Sequence, residues 1–351
     1  MTAQSLVLRL FRGLLVGVAL YVGIALLSLD VGTVRISEAT IVRVLAEPAL
    51  RTVVDSGDRA RDMLGQEARI IWDIRLPRLA LASLVGACLA LAGAAFQGLL
   101  RNPLADPYIV GTSSGAAFGT AVAIALGLSS GVDSAESLRP LFSFAGALLT
   151  MYCVVRLARV ERRLPVDTFL LAGVVMGSFL WAFVSFIMAT ANGRMKEIVL
   201  WLMGDLSLAT WSLVGLVVPY FVLGALALGA LAHRLNLLSM GEESASSLGV
   251  DVEATKLVVV AAASLLTAAA VSVSGLIGFL GLFVPHLTRS ACGPDHRVLL
   301  PVSAIAGAAF LVLADTASRA MSPVELPVGV LTALFGGPFF FVLLRRRLSQ
   351  L

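Results

Sequence analysis

Ten apolar stretches divide the chain, near residues 13–29, 79–100, 108–128, 140–158, 168–191, 211–232, 256–275, 276–290, 298–318 and 327–344. Most are as long as a helix needs to cross the hydrocarbon core of a bilayer. The composition agrees: 58% of residues are hydrophobic, 14% are charged, and the mean hydropathy is +0.94. These values exclude a soluble protein and predict an all-α, polytopic membrane protein of about ten transmembrane helices. The run at 13–29 continues as SLDVGTV, without a small-x-small cleavage site, so it reads as a first span and not as a signal peptide.

Between the first two spans, residues 30–74 form the longest polar segment. ISEATIVRVLA predicts a short amphipathic helix capped by Ser37, and DSGDRARDMLG predicts a mixed-charge turn. The 276–290 segment, LIGFLGLFVPHLTRS, is short and holds Pro285. Short segments interrupted by Gly or Pro are a feature of transporters. Ten spans put both termini on one side of the membrane. With that side inside, the inner segments carry 14 basic residues against 8 acidic ones, which favours inner termini.

Small residues recur at every fourth position in two of the segments. Ala82, Gly86, Ala90, Ala94 and Gly98 form one row; Gly111, Gly115, Gly119, Ala123 and Gly127 form the other. On helices each row is a stripe without bulk, and such stripes let backbones approach closely in lipid. The polar break RNPLADP, with Pro103 and Pro107, separates them.

Nothing in the chain predicts chemistry of its own. There is no GxxxxGK[ST], HExxH or CxxC, and no catalytic residue or metal site is assigned. Cys88, Cys153 and Cys292 suggest no disulfide, and His233, His286 and His296 are scattered. The net charge of +4 follows membrane topology and does not point to nucleic acid. Spans of an ion-coupled carrier usually hold buried acids. Here Asp205, Asp315 and Glu325 are the near candidates, all towards outer ends, and Asp315 has Arg319 four residues on as a local helix partner. Energy is therefore expected from outside the chain.

The inner loop at about 233–255 contains LNLLSMGEESASSLGVDVEATK. Ser239 and Glu242 have capping-box spacing, and Gly249 suits a left-handed helix end. A helix over about 240–248 is predicted, either as a solvated connector or as a lever pressed by a cytoplasmic partner.

RLPRLALASLVGACLALAGAAFQGLLRNPLADPYIVGTSSGAAFG, from Arg75 to Gly119, resembles the signature of FecCD-type permeases. LPVDTFLLAGVVMG, WLMGDLS, EESASSLGV, GLIGFLGLFVPHLTR, DHRVLLPVSAIAGA and ELPVGVLTALFGGPFF extend the resemblance over about Ile36 to Arg347. The family supplies membrane subunits of ABC importers for iron-siderophores, haem and vitamin B12. The resemblance implies one transmembrane permease domain over 1–351, with the type II importer permease fold of ten helices and an inverted pseudo-symmetry. It implies a second permease subunit, identical or paralogous, and two cytoplasmic ATPase subunits that hold ATP and Mg. It also implies an extracytoplasmic binding protein and a bacterial cytoplasmic membrane. The subunit itself would be no enzyme and would bind no cofactor. By the same resemblance Arg75, Arg78 and Arg319 dock the binding protein. Asn102 and Leu104 form an inner gate, joined by Val166 and Asp167. Glu242, Glu243, Ser244, Leu248 and Gly249 belong to the helix that couples to the ATPase. Vitamin B12 permeases look small and hydroxylic where this chain has Val166 and Asp167, which argues against cobalamin. The resulting expectation is import of an iron chelate, siderophore or haem. The alternatives are a cobalamin permease, an ion-coupled carrier, or a scaffold or receptor that transports nothing.

Overall fold

A computed structural model describes residues 3–32, 34, 36–52, 59–128, 138–191, 193–321 and 325–348. Along the chain the helices are α1 (Ala3–Asp30), α2 (Glu38–Ala46), α3 (Arg59–Arg69), α4 (Leu76–Leu99), α5 (Thr112–Ala125), α6 (Arg139–Ala158) and α7 (Val166–Thr190). They continue as α8 (Met195–Leu202), α9 (Trp211–Ser239), α10 (Glu242–Ser247), α11 (Val252–Ser274), α12 (Leu280–Cys292), α13 (His296–Met321) and α14 (Val328–Leu348). Among the described residues there is no strand, only one antiparallel bridge between Val160 and Arg163.

All ten apolar segments read from the sequence are helical. Seven are long and apolar enough to cross a membrane: α1, the continuous run through α4, and α6, α7, α9, α11 and α13. The other three are α5, α12 and α14; α5 and α12 have only 14 and 13 residues.

Helix α4 forms the centre, packed by α13, α11, α9 and α12. Its row Ala82, Gly86, Ala90, Ala94 and Gly98 is buried. A Cβ on Gly86 would press into the backbone of Gly307 on α13, with Leu311 Cβ at 3.0 Å. The reciprocal Cβ on Gly307 would stand 2.5 Å from Ala90 Cβ. Van der Waals contact between helices drives association in lipid, and here small residues bring two backbones together.

Contacts across the bundle define its two ends. Lys256 meets Leu164 and Glu242 at one end, where α10 lies. Arg319 reaches Ser28 and Val31 at the other, where α2 and α3 lie. Arg9 approaches Gly293, so α1 begins on the α10 side.

The described residues of the polar segment 30–74 hold more helix than their sequence suggests. Ser37 caps α2 as expected, its Oγ accepting from Thr40 N at 3.2 Å. The predicted turn DSGDRARDMLG is helical from Arg59 on; its residues 55–58 lie outside the described residues. The cause is a small apolar core made by Leu29, Ile36, Ile41, Val44, Ala68 and Ile71. Burial of that core outweighs the local charge pattern. Helix α3 passes into α4 through one wide π-helical turn, Ile70–Arg75.

The second small row is shorter than predicted. Gly115 and Gly119 are buried in α5 against Gly146 and Phe142 of α6. Gly111 is the N-cap with φ +89°, and Gly127 lies beyond the helix with φ +77°. Both are turn glycines in the left-handed region, not members of a helical stripe. Helix α12 runs past the apolar 276–290 segment and ends on Cys292.

Candidate functional site

Two irregular segments meet inside the bundle. The first is the 100–111 connection. Asn102 Oδ1 accepts from Leu104 N at 3.0 Å and Asp106 Oδ1 from Tyr108 N at 2.8 Å. The chain then turns back into the protein. A Cβ on Gly281 would meet Pro107 Cδ at 2.8 Å and the Leu89 carbonyl, near the middle of α4, at 3.0 Å. The second segment is 275–279, between α11 and α12. Tyr108 joins the two, its hydroxyl accepting from Ile277 N at 3.1 Å. Irregular backbone at membrane depth is tolerated where protein buries it and its polar groups find partners. Asp106 belongs to this junction. It keeps a partly exposed edge, but the packed surroundings push its carboxyl up to about 6, against the Tyr108 N–H, which lowers it. Nothing local in RNPLADP marks this carboxyl, because it falls in a polar loop that the fold draws inward.

At the α10 end, Lys256 is 3% exposed. Its ammonium donates to Leu164 O at 3.1 Å, Glu242 Oε2 at 2.6 Å and Glu253 Oε1 at 3.0 Å. Glu253 Oε2 accepts from Leu164 N at 2.7 Å. Leu164 is thus held by both backbone groups, two residues before α7 begins. Val166 is the first residue of α7 and is half-buried; Asp167 follows in its first turn and is exposed. Asn102 is exposed and Leu104 half-buried.

The predicted capping box is absent. Ser239 closes α9, its hydroxyl donating to Asn236 O at 2.7 Å, and Gly241 is the N-cap of α10 without a side-chain bond. Glu242 turns to Lys256 instead. A buried ammonium outcompetes a neutral backbone N–H for the carboxylate, because charge-assisted bonds are the stronger ones. Gly249 has φ +82°, as its predicted role requires. Helix α10 itself runs only Glu242–Ser247, and the loop expected from 233 starts after Ser239 because α9 continues to there. Nearby, Asn236 ties α9 to α13, accepting from His296 N at 2.8 Å and donating to Asp295 at 2.7 Å.

At the opposite end lie the three arginines that the resemblance makes docking residues: Arg75 and Arg78 are buried and Arg319 is half-buried. Arg75 and Arg78 are 6% and 7% exposed. Arg75 donates to the carbonyls of Leu29, Val34 and Asp30. Arg78 binds Asp315 with Nε, 3.0 Å from each carboxylate oxygen, and Glu325 with Nη1 at 2.8 Å. Arg319 donates to Val31 O at 2.7 Å and Ser28 Oγ at 2.9 Å and approaches Asp315 at 3.3 Å. Asp315 therefore has the expected local partner Arg319, but its close partner is Arg78 of α4. A carboxylate buried on α13 must be paired, and α4 is the helix packed against it. Among the described residues no cluster of His, Cys, Asp or Glu could hold a metal ion.

Comparison with known proteins decides what this architecture is. The FecCD transport family matches residues 19–346. The chain belongs to the FecCD transport family. It is a membrane-spanning permease subunit of an ABC transporter, and the family is one of permease subunits that are not themselves enzymes. This FecCD permease is 49% identical over 280 residues to the cobalamin import system permease protein BtuC of Halobacterium salinarum, covering 79% of this chain and 74% of that one. It is 42% identical over 287 residues to the hemin transport system permease protein HmuU of Yersinia pestis, covering 80% and 84%. A solved structure of an inward-facing conformation of a metal-chelate type ABC transporter superposes with a TM-score of 0.79 at 31% identity. That match covers 95% of this chain and 98% of the other. The ten helical segments fit this architecture.

Proposed function

We propose that this permease imports an iron chelate, a siderophore complex or haem, across a bacterial cytoplasmic membrane. The supporting observation is the metal-chelate transporter that covers nearly the whole chain, together with 42% identity to a hemin permease. Two copies of the chain, or this chain and a paralogue, would enclose the path. Two ATPase subunits holding ATP and Mg would press on α10 and the turn that ends it, where Glu243, Ser244, Leu248 and Gly249 are exposed. This places the α10 end and both chain termini in the cytoplasm, in line with the basic bias of the inner segments. Asn102 and Leu104, with Val166 and Asp167, would close the path on that side.

A binding protein would deliver the chelate to the α3 end. Arg75, Arg78 and Arg319 would serve this surface from beneath, by fixing α1, α4 and α13 relative to one another. The chain would bind no cofactor of its own. Cobalamin is the second reading, supported by 49% identity to a cobalamin permease.

The test is uptake in proteoliposomes that contain the permease with its ATPase and binding protein. A ferric siderophore or haem should accumulate with MgATP. Cobalamin uptake without either iron chelate would establish the second reading. Failure with all three would overturn both.

A further inference from the structure

We propose that Lys256 is the positioning residue through which movement of α10 reaches the start of α7. The inference rests on the reading of α10 as the ATPase contact. An ammonium has three N–H donors. Lys256 spends one on α10 (Glu242 Oε2, 2.6 Å), one on the first turn of α11 (Glu253 Oε1, 3.0 Å) and one on the residue before Pro165 (Leu164 O, 3.1 Å). None is left for water. Glu253 returns a bond to Leu164 N at 2.7 Å, so the peptide groups flanking Leu164 cannot shift without the clasp.

The two ends of this linkage are stiff. Ala245, fully buried, seats α10 on the bundle. On the other side Pro165 is the N-cap of α7 at φ −65°, the value its ring imposes, so little slack separates Leu164 from Val166. Displacing Glu242 therefore displaces Lys256, and Lys256 carries Leu164 with it. The start of α11 does not depend on the clasp. Asp251 caps it separately, accepting from Ala254 N at 3.0 Å. The Glu242 and Glu253 side chains are 38% and 30% exposed, so water can solvate them when the lysine is removed. These two facts separate a transmission role from a bracing role, because the helix ends should survive the loss of Lys256.

The experiment uses the permease–ATPase complex with its binding protein in proteoliposomes. It compares wild type with Lys256→Met, Lys256→Arg and the swap Glu242→Lys with Lys256→Glu. Readouts are ATPase association, MgATP hydrolysis, and substrate taken up per ATP. Lys256→Met should keep association and hydrolysis while uptake per ATP falls about tenfold. Lys256→Arg should retain most coupling, and the swap should recover part of it. A bracing role would lower thermal stability and leave uptake per ATP unchanged; that result overturns the proposal. Should Lys256→Met fail to reach the membrane, Glu242→Gln decides, because it leaves Lys256 two of its partners: lowered uptake per ATP supports the clasp, and wild-type coupling overturns it. A wild-type chain that associates with no ATPase overturns the functional reading and the clasp with it. Wild-type coupling beside an equally coupled variant overturns the clasp alone.

Discussion

Arg78 donates its Nε to both carboxylate oxygens of Asp315, each at 3.0 Å, across 237 residues of sequence. The two side chains are 8% and 3% exposed. Coulomb attraction between buried groups offsets a large desolvation cost, so the pair need not add net stability. Breaking it is another matter, because one charge is then left with too few partners. Arg78→Met should destabilise the protein by about 3 kcal/mol, seen as a lower midpoint of thermal unfolding in detergent. The double variant Arg78→Met with Asp315→Leu should recover much of that loss. A single variant as stable as wild type would show that Arg319 alone satisfies Asp315.

The same geometry changes what to expect of charge reversal. Arg75→Glu with Arg319→Glu would place carboxylates against the carbonyls of Leu29, Val34 and Val31. Acceptor would face acceptor in a buried site. The double variant should accumulate poorly in the membrane. Normal accumulation with weaker association of the binding protein, falling further with salt, would establish these arginines as direct docking residues.

Gly115 permits the contact between α5 and α6. A Cβ there would sit 2.5 Å from the Gly146 carbonyl oxygen, with Thr150 closer still. Gly115→Leu should therefore prevent α5 from docking and abolish monodisperse protein in size-exclusion chromatography. Gly229 on α9 serves as the control, since a Cβ there meets nothing within 4 Å. Gly229→Ala should be neutral or should stabilise α9 by up to about 1 kcal/mol in the same unfolding assay. Equal behaviour of the two variants would remove the packing role.

The apolar runs made all ten helical segments readable, because a bilayer crossing leaves a long, strong signal. The α4 stripe was readable for the same reason: its period of four survives into the structure. Gly111 and Gly127 share that period, yet they are turn residues, because α5 is too short to include them. Ser37 and Gly249 could be assigned from local chemistry alone. Ser239 could not, because its expected partner Glu242 is taken by a lysine 14 positions away. Arg78 and Asp315 carry the same lesson. Partners far apart in sequence decide whether a charge is a surface contact or an internal tie, and one chain read in order does not contain that information. The Glu253–Lys256 spacing was the one local trace of the clasp.

Asp106 should give the stability a pH dependence. Its folded-state carboxyl lies at about 6, above the ordinary aspartate value of about 3.9. An acid raised in this way binds protons more tightly when folded. The stability it allows is complete below pH 4 and declines as pH rises through about 6. Asp106→Asn keeps the oxygen that accepts from Tyr108 N and removes the titration. Between pH 4 and 7 the variant should lack this decline and should be the more stable protein at pH 7.5. Parallel unfolding midpoints for the two proteins across that range would show that Asp106 is well solvated.

Gly249 and Glu243 should separate coupling from contact. Gly249 ends α10 at φ +82°, and its N–H donates to Ser246 O at 2.9 Å. Proline can supply neither the angle nor the donor. Alanine supplies the donor and meets no neighbour, so it carries only the left-handed backbone cost of about 1–2 kcal/mol. Glu243 is exposed on α10, whereas Glu242 is bound to Lys256. Gly249→Pro should therefore disorder the end of α10 and lower uptake per ATP while the protein still reaches the membrane. Gly249→Ala should lower it less. Glu243→Lys should weaken ATPase association and leave uptake per ATP in the remaining complexes unchanged. The measurement is uptake and hydrolysis in the same vesicles, normalised to bound ATPase. If Gly249→Pro transports with wild-type efficiency, α10 is a solvated connector and the ATPase engages the permease elsewhere.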